Sequence, residues 1–316
     1  MGTPLVSIIT PSYRQADYLE KTIRSVLGQD YPHIEYLVVD GGSQDGSVEI
    51  IQKYAKKLAW WVSEPDEGQA DAINKGLQQA SGEIVAWLNS DDTYLPGAVR
   101  EAVEALEGDP SIAFVYSDYQ SINARGEVVN TIRSRQYNLA DLLAMHIIGQ
   151  PTVFIRRSYL DKAGTLDTSY QYLMDHNLWI RLAAEAPFVY VPREWAAARV
   201  HPMAKNVAQA KSFGLEAYRI LAWAKTQPKL AEVLAEEPDR IWGGAHRFHA
   251  RYLLDGGAPW EALKTYWRVW QAYPKYAYEH WHRILFCFAS IVGLGKLQRI
   301  LYRRYYLTPD RKDATQ

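Results

Sequence analysis

Through the first two hundred residues, short apolar runs alternate with stretches whose apolar positions recur every three or four residues. Val6-Ser7-Ile8-Ile9-Thr10 predicts a strand ended by Pro11-Ser12-Tyr13. Leu19, Ile23, Val26 and Leu27 then mark one face of a helix over residues 17–29. Residues 34–39 predict a second strand, terminated by Asp40-Gly41-Gly42-Ser43, and Ile50 and Ile51 line the apolar side of the helix that follows. A short strand at 60–62, a helix over 69–80 and the strand Ile84-Val85-Ala86-Trp87-Leu88 continue the series. Further strands are predicted at 112–117, 152–156 and 188–192. Strand and helix in turn imply parallel βαβ units.

The pattern changes after residue 206. Strand signals end, and Trp, Tyr, Lys and Arg recur at helical spacing, which predicts helices over 207–225, 229–236, 239–255, 259–272 and 276–304. Gly256-Gly257 and Pro274 punctuate them. The expected organisation is an α/β domain over 1–205 and a helical region over 206–316.

In an open parallel sheet, ligands bind beyond the carboxyl ends of the strands. Pro11, Asp40, Asp66 and the Asp91-Asp92 pair each follow a predicted strand, so polar groups from distant positions converge on one edge. Asn89-Ser90-Asp91-Asp92 is the sharpest case, because an apolar strand stops abruptly at two adjacent carboxylates. Carboxylate oxygens there suit a hard divalent cation that can clamp a diphosphate. The competing reading is a plain surface turn, since Asn, Ser and Asp also favour turns.

Composition narrows the classes. With 316 residues, 48% hydrophobic and 22% charged, the chain is globular and long enough for a catalytic domain with an appendage. A formal net charge of −1 excludes a general polyanion binder, and no nucleic-acid partner is expected. The single cysteine, Cys287, excludes an intramolecular disulfide and a cysteine-based zinc site, and fits a reducing compartment. Met1-Gly2-Thr3-Pro4 leads directly into a strand, without the pattern of a secretory signal, so a cytoplasmic location is expected. The chain has neither a Walker-type loop nor Gly-x-Gly-x-x-Gly, which weighs against kinase and dinucleotide chemistry.

Four segments in order carry a family resemblance. They are Ser7-Ile8-Ile9-Thr10-Pro11-Ser12-Tyr13, Val38-Val39-Asp40-Gly41-Gly42-Ser43-Gln44-Asp45-Gly46-Ser47, Asp66-Glu67-Gly68-Gln69-Ala70-Asp71-Ala72-Ile73-Asn74-Lys75-Gly76 and Asn89-Ser90-Asp91-Asp92. Over roughly residues 4–202 the chain resembles the family 2 glycosyltransferases. The resemblance implies a GT-A (Rossmann-like) α/β fold: a mixed, mostly parallel sheet flanked by helices, here followed by a helical C-terminal region. It also implies transfer of one sugar from a nucleotide-diphosphate sugar, most commonly a UDP-sugar, to an acceptor hydroxyl with inversion at the anomeric carbon.

By the same resemblance Asp40 accepts a hydrogen bond from the nucleotide base, Pro11 and Tyr13 line that pocket, and Asp66 contacts the nucleoside. Asp71 either joins them or only favours its helix N-terminus. Asp92 matches the direct ligand of Mn²⁺ or Mg²⁺, and Asp91 the contact to the ribose or to the metal's water shell. Asp175, within Met174-Asp175-His176-Asn177-Leu178-Trp179-Ile180-Arg181, matches the general base, although Met174 stands where the family usually has another acidic residue. The alternative for Asp175 is a helix cap. His201, after the strand-like 196–200, matches a further metal ligand, the alternative being a structural histidine; its neighbour Arg199 is placed to reach the diphosphate, and Gln150 matches a loop bordering the sugar. Gln-x-x-Arg-Trp, typical of the family's processive members, is absent, so a single transfer is expected.

The apolar run 284–294 is too short to span a bilayer. With Arg283, Lys296, Arg299, Arg303 and Arg304 and interleaved Tyr302, Tyr305 and Tyr306, residues 276–306 suit either a membrane interface or the basic face of a small bundle. The first reading makes the protein peripheral on the cytoplasmic face of the membrane, with a lipid-linked glycan as a natural acceptor. Two other functions stay open: a nucleotidyltransferase that forms nucleotide-sugars, and a non-catalytic glycan-binding protein on the same fold.

Overall fold

The structure is a computed structural model and describes residues 3–201 and 210–294. The expected domain boundary near 205, the start of the helix expected from 207, and Lys296, Arg299, Tyr302, Arg303, Arg304, Tyr305 and Tyr306 lie outside the described residues.

Among the described residues nine strands form one sheet: β1 (Val6–Ser12), β2 (Ile34–Asp40), β3 (Trp60–Ser63), β4 (Ile84–Trp87), β5 (Thr93–Tyr94), β6 (Phe114–Ile122), β7 (Val128–Ile132), β8 (Phe154–Arg156) and β9 (Phe188–Arg199). Their order is β3-β2-β1-β4-β8-β6-β9-β5, with β7 beside β6. The sheet is mixed. β1 to β4 are parallel, whereas β8 runs antiparallel to β4 and β6, and β5 antiparallel to β9. In sequence the helices are α1 (Ala16–Leu27), α2 (Ser47–Tyr54), α3 (Gln69–Gln79), α4 (Ala98–Glu107), α5 (Leu139–Leu143), α6 (Arg157–Ala163) and α7 (Met174–Glu185). There follow α8 (Ala210–Ala224), α9 (Pro228–Glu236), α10 (Pro238–Asp255), α11 (Pro259–Ala272), α12 (Pro274–Glu279) and α13 (Trp281–Ile291). Among the described residues no helix is long and apolar enough to cross a membrane.

The chain forms two compact units. One comprises the described residues up to Ser121, Asn130–Gln136 and Ile148–Arg199; the other comprises Ile122–Val129, Tyr137–Ile147 and the described residues from Val200.

In the first unit the alternation of β1 sends its side chains to opposite faces of the sheet. Val6 and Ile8 enter the core with Leu19, Ile23 and Val26 of α1 and with Val99, Val103 and Leu106 of α4. Ile9 points the other way, towards α3. A Cβ placed on Gly76 of α3 would stand 2.5 Å from Ile9 Cγ2, so α3 reaches the sheet only because that residue is glycine. Gly76→Ala is expected to lower the unfolding free energy by about 1–3 kcal/mol, read from denaturant melts. An unchanged midpoint would show that α3 can shift at no cost.

Two expectations are corrected. The strands expected at 188–192 and 196–200 are one strand, β9, which runs through exposed Pro192. Proline is tolerated there because Pro192 is exposed rather than packed in the core. The helix expected from 276 is broken at His280 into α12 and α13.

The core of the second unit gathers Ala250, Leu254, Ala262, Tyr266, Val269, Tyr276, Ala277 and Cys287. Arg240 pairs with Asp141, and Arg247 donates to the carbonyls of Ala144 (3.3 Å) and Met145 (3.2 Å), which fixes the end of α5 on α10. His280 Nδ1 lies 3.1 Å from the Tyr266 hydroxyl. Burial, with Arg247, Arg283 and Arg251 nearby, pushes its pKa down to about 3. Burial also lowers His246 and His249. The His280 ring stays neutral in the fold but takes up a proton on unfolding below about pH 6.5, and the lowered His246 and His249 act in the same sense, so the unfolded chain binds more protons and stability falls as pH falls. The melting temperature is expected to drop from about pH 6.5 towards 4, and less steeply in His280→Gln. Parallel curves for the two proteins would contradict this.

Candidate active site

The register of the parallel strands sets Ser12 beside Asp40 and Asp40 beside Ser63, so three strand ends stand in a row. The Asp40 carboxylate is fully buried and taken up by the protein. It accepts from the Ser43 amide (2.8 Å), the Ser43 hydroxyl (2.6 Å) and the Ser63 hydroxyl (2.7 Å). Ser43 Oγ in turn accepts from the Arg14 amide at 2.8 Å. Arg14 needs that anchor, because its φ of 53° is one that non-glycine residues seldom adopt. Pro11 lies buried in β1, one residue before Ser12, whose carbonyl accepts from Gly41 N at 2.8 Å.

Above Asp40 the three loops meet at Gly41. A Cβ on Gly41 would stand 2.6 Å from Asp66 Oδ2 and 3.2 Å from the Tyr13 ring. Asp66 is itself held by the Gly68 amide, 2.8 Å from Oδ1, and the Tyr13 ring is 54% exposed. Tyr13 and Asp66 are thus brought together at the surface of the edge, with Asp40 beneath. Asp71 turns to its own helix: it accepts from Glu67 N at 3.1 Å and pairs with Lys75 at 3.6 Å. Where Asp66 meets a nucleoside, as the sequence resemblance implies, Gly41→Ala is expected to displace it and weaken nucleotide binding about tenfold by titration calorimetry, with kcat much less affected. Unchanged affinity would remove Asp66 from the nucleoside end.

The Asn89–Asp92 turn is tied down from three sides. Thr22, on the buried face of α1, donates its hydroxyl to the carbonyls of Ser90 (2.9 Å) and Asp92 (2.7 Å). Gln69, at the start of α3, donates to Asn89 Oδ1 at 2.6 Å, and Asn89 Nδ2 lies 3.4 Å from Asp92 Oδ2. From the end of β9, the Arg199 amide donates to Asp92 Oδ1 at 2.8 Å and Arg199 Nε to the Asp91 carbonyl at 3.0 Å. The Arg199 guanidinium lies 4.8 Å from the centre of the Tyr18 ring. Burial raises the Tyr18 pKa against the opposing pull of Arg199, and burial lowers that of Arg199.

Asp92 is 6% exposed, and burial, reinforced by the charge of Asp91, pushes its carboxyl well above the ordinary range. A buried carboxylate held so unfavourably beside a second one is the donor set a hard divalent cation would relieve. Among the described residues no three His, Cys, Asp or Glu side chains gather into a ready-made cage. Mg²⁺-type sites on phosphate substrates commonly use one or two protein carboxylates, the remaining ligands being phosphate and water, so Asp91 and Asp92 fit.

Asp175 opens α7. Its Oδ1 accepts from the His176 amide at 2.7 Å. Trp179 stands one turn further along the same helix face and stacks on Trp87, the last residue of β4, with centroids 5.1 Å apart. The stack aims the Asp175 face of α7 at the strand end from which the Asn89–Asp92 turn departs. Gln150 reaches the same strand end, donating to the Trp87 carbonyl at 2.7 Å, while its buried Oε1 finds no donor among the described residues. Arg181 fixes α7 from behind by donating to the carbonyls of Ala163 (2.5 Å), Gly164 (3.2 Å) and Thr165 (2.7 Å). His201 is buried two residues beyond Arg199 and belongs to the second unit.

Thr22, Tyr18, Gln69, Asn89 and Trp179 complete this edge and escape sequence reasoning. Gln69, Asn89 and Trp179 stand within the motif segments without a role of their own, and Thr22 left a different signal, a polar residue on the apolar stripe of α1 between Leu19, Ile23 and Val26.

The mixed sheet, parallel over β1 to β4 and followed by a helical C-terminal region, has the architecture of a GT-A fold. Two solved structures share it: Staphylococcus aureus TarS 1–349 in complex with UDP-GlcNAc (TM-score 0.61, 18% identity, 91% of each chain covered), and the mannosyltransferase PcManGT from Pyrobaculum calidifontis in complex with GDP-Man and Mn²⁺ (TM-score 0.60, 22% identity, 93% of this chain and 88% of that one). The chain belongs to glycosyl transferase family 2, whose sequence profile matches residues 7–164. It is 30% identical over 255 residues to an uncharacterized glycosyltransferase of Rickettsia typhi, covering 78% of both chains. Over 161 residues it is 38% identical to TuaG of Bacillus subtilis, a glycosyltransferase named for teichuronic acid biosynthesis, covering 49% of this chain and 63% of that one.

Proposed function

We propose that this family 2 glycosyltransferase moves one hexose from a nucleotide-diphosphate sugar to an acceptor hydroxyl, with inversion at the anomeric carbon and a bound Mn²⁺ or Mg²⁺. The observation that carries the reading is the Asn89–Asp92 turn, whose buried Asp92 is fixed from α1, α3 and β9 at once. Asp92, with Asp91, would hold the cation, which would stabilise the negative charge that grows on the departing diphosphate. Arg199 adds positive charge beside the same turn. His201 enters through its sequence match alone.

At the nucleoside end, Tyr13 and Asp66 meet the base and ribose. Asp40 serves them from below, holding Ser43 and through it the Arg14 backbone. Gln150 would border the sugar through the loop it ties to the Trp87 carbonyl. Asp175 accepts the proton of the acceptor hydroxyl as that oxygen attacks the anomeric carbon.

A UDP-sugar is the first donor to test, and the GDP-Man and UDP-GlcNAc bound by the two similar folds set the panel. The acceptor is a glycan or lipid-linked glycan of a surface polysaccharide, a class that the name of TuaG also suggests, met in the cytoplasm. A nucleotidyltransferase is disfavoured because the loop after β1 is Pro11-Ser12-Tyr13-Arg14-Gln15, neither glycine-rich nor strongly basic. A non-catalytic binder would have no need of Asp175 beside an intact carboxylate pair.

Release of nucleoside diphosphate should be followed over UDP-, GDP- and dTDP-sugars, with Mn²⁺ and with EDTA. Release from at least one donor, lost in EDTA, is expected. Binding of a donor without any turnover would point to the non-catalytic protein instead.

A further inference from the structure

Among the described residues, fourteen large hydrophobic side chains are exposed, and ten of them lie between Trp260 and Leu294. Their spacing is regular. α11 presents Trp260, Lys264 and Trp267 at successive turns, with Trp270 beside them, and the Lys264 ammonium lies 5.7 Å from the Trp260 ring centre. α13 presents Trp281, Leu285 and Phe288 at successive turns, and Val292 continues the row just past its end. All of these hydrophobic side chains are more than half exposed. The opposite sides of the same helices, Ala262, Tyr266 and Val269 of α11 and Cys287 of α13, already fill the core of their unit. The outer rows are therefore surplus to folding, and exposed apolar rows on two neighbouring helices mark an interaction surface.

We infer that the outer face of α11 and α13 docks on a lipid bilayer carrying anionic headgroups. Three features select that partner. A helix apolar on both sides is normally enclosed by protein or lipid, yet the eleven residues of α13 rise only about 16 Å against a hydrocarbon core of about 30 Å, so it can lie in the interface but not span it. Four of the exposed residues are tryptophan, whose apolar ring and polar N–H favour the headgroup level. The third feature is charge. Residues 259–316 hold ten Lys and Arg against four Asp and Glu, whereas residues 1–258 hold 25 against 32. A positive end on an otherwise acidic chain complements an anionic leaflet. None of this rests on the roles assigned at the sheet edge.

The full chain should be sedimented with vesicles of zwitterionic lipid alone and with vesicles about one third anionic, alongside a vesicle-free control. Pelleting with the anionic vesicles is expected, weakened at about 0.5 M salt and reduced at least about tenfold in Trp267→Ser/Phe288→Ser. Melting temperature should not change, because both side chains are exposed. Val128→Ser, which removes an exposed hydrophobe from β7, should pellet like wild type. No binding to either vesicle, or equal binding of the double variant, would overturn the assignment. So would a dimer in solution that the double variant abolishes, since the face would then pair with a second copy. Nucleoside diphosphate release from a soluble donor should survive in the double variant, which keeps failure here distinct from failure of the transferase reading.

Discussion

Asp175→Asn is expected to lower kcat for sugar transfer by about 10²- to 10⁴-fold, the range for loss of a positioned general base. Donor KM and nucleotide affinity should stay within about twofold, because the substitution removes an interaction that matters only as the acceptor loses its proton. The fold should tolerate the change. Asn keeps an oxygen for the His176 amide, and α7 remains fixed by the Trp179–Trp87 stack and by Arg181 on the three carbonyls at residues 163–165. Steady-state kinetics with saturating donor, beside a melting curve, make the measurement. A variant that turns over at the wild-type rate would assign the proton to another group.

Asp92→Asn should lower metal-dependent turnover by about 10²- to 10³-fold, since it removes the charge that fixes the cation against the diphosphate. Without metal the effect on stability should have the opposite sign. The wild-type carboxylate bears a desolvation cost, to which Asp91 adds, and a neutral amide still accepts the Arg199 N–H. The metal-free variant should therefore melt at or above the wild-type temperature. A large loss of stability would show that Asp92 is a structural partner of β9 rather than a residue kept for a ligand.

The parallel half of the sheet was legible because β1, β2 and β4 are short apolar-rich runs cut off by polar turns, and α1 and α3 carry a clear helical period. What joins them was not. Thr22 meets the Asp92 carbonyl 70 residues away, and the Arg199 amide meets Asp92 across 107. Such contacts leave no periodic trace. β5 has only two residues and exists through its pairing with Ala196 and Ala197 of β9. Pro192 ordinarily ends a strand, so β9 looks like two strands in sequence, and α12 and α13 look like one helix because their apolar residues keep helical spacing across His280.

The site shows the same division. Spacing set Pro11, Asp40, Asp66 and the Asp91–Asp92 pair after predicted strands, and resemblance alone named Tyr13, Gln150 and Asp175. They could not reveal that Asp40 is enclosed by Ser43 and Ser63, because hydroxyl partners at short range look like ordinary turn residues. Nor could they show which face of α7 meets the sheet, which the Trp87–Trp179 stack decides.

The central claim is that the Asp91–Asp92 turn receives a nucleoside diphosphate through a divalent cation. Calorimetric titration of UDP, or of the nucleoside diphosphate whose sugar turns over, tests it most directly when run on the wild-type protein in Mn²⁺ and again in EDTA. Affinity at least about tenfold higher in Mn²⁺ is expected, because the cation links two otherwise repelling anions, and the difference should vanish in Asp92→Asn. Equal affinity in Mn²⁺ and in EDTA would contradict the account.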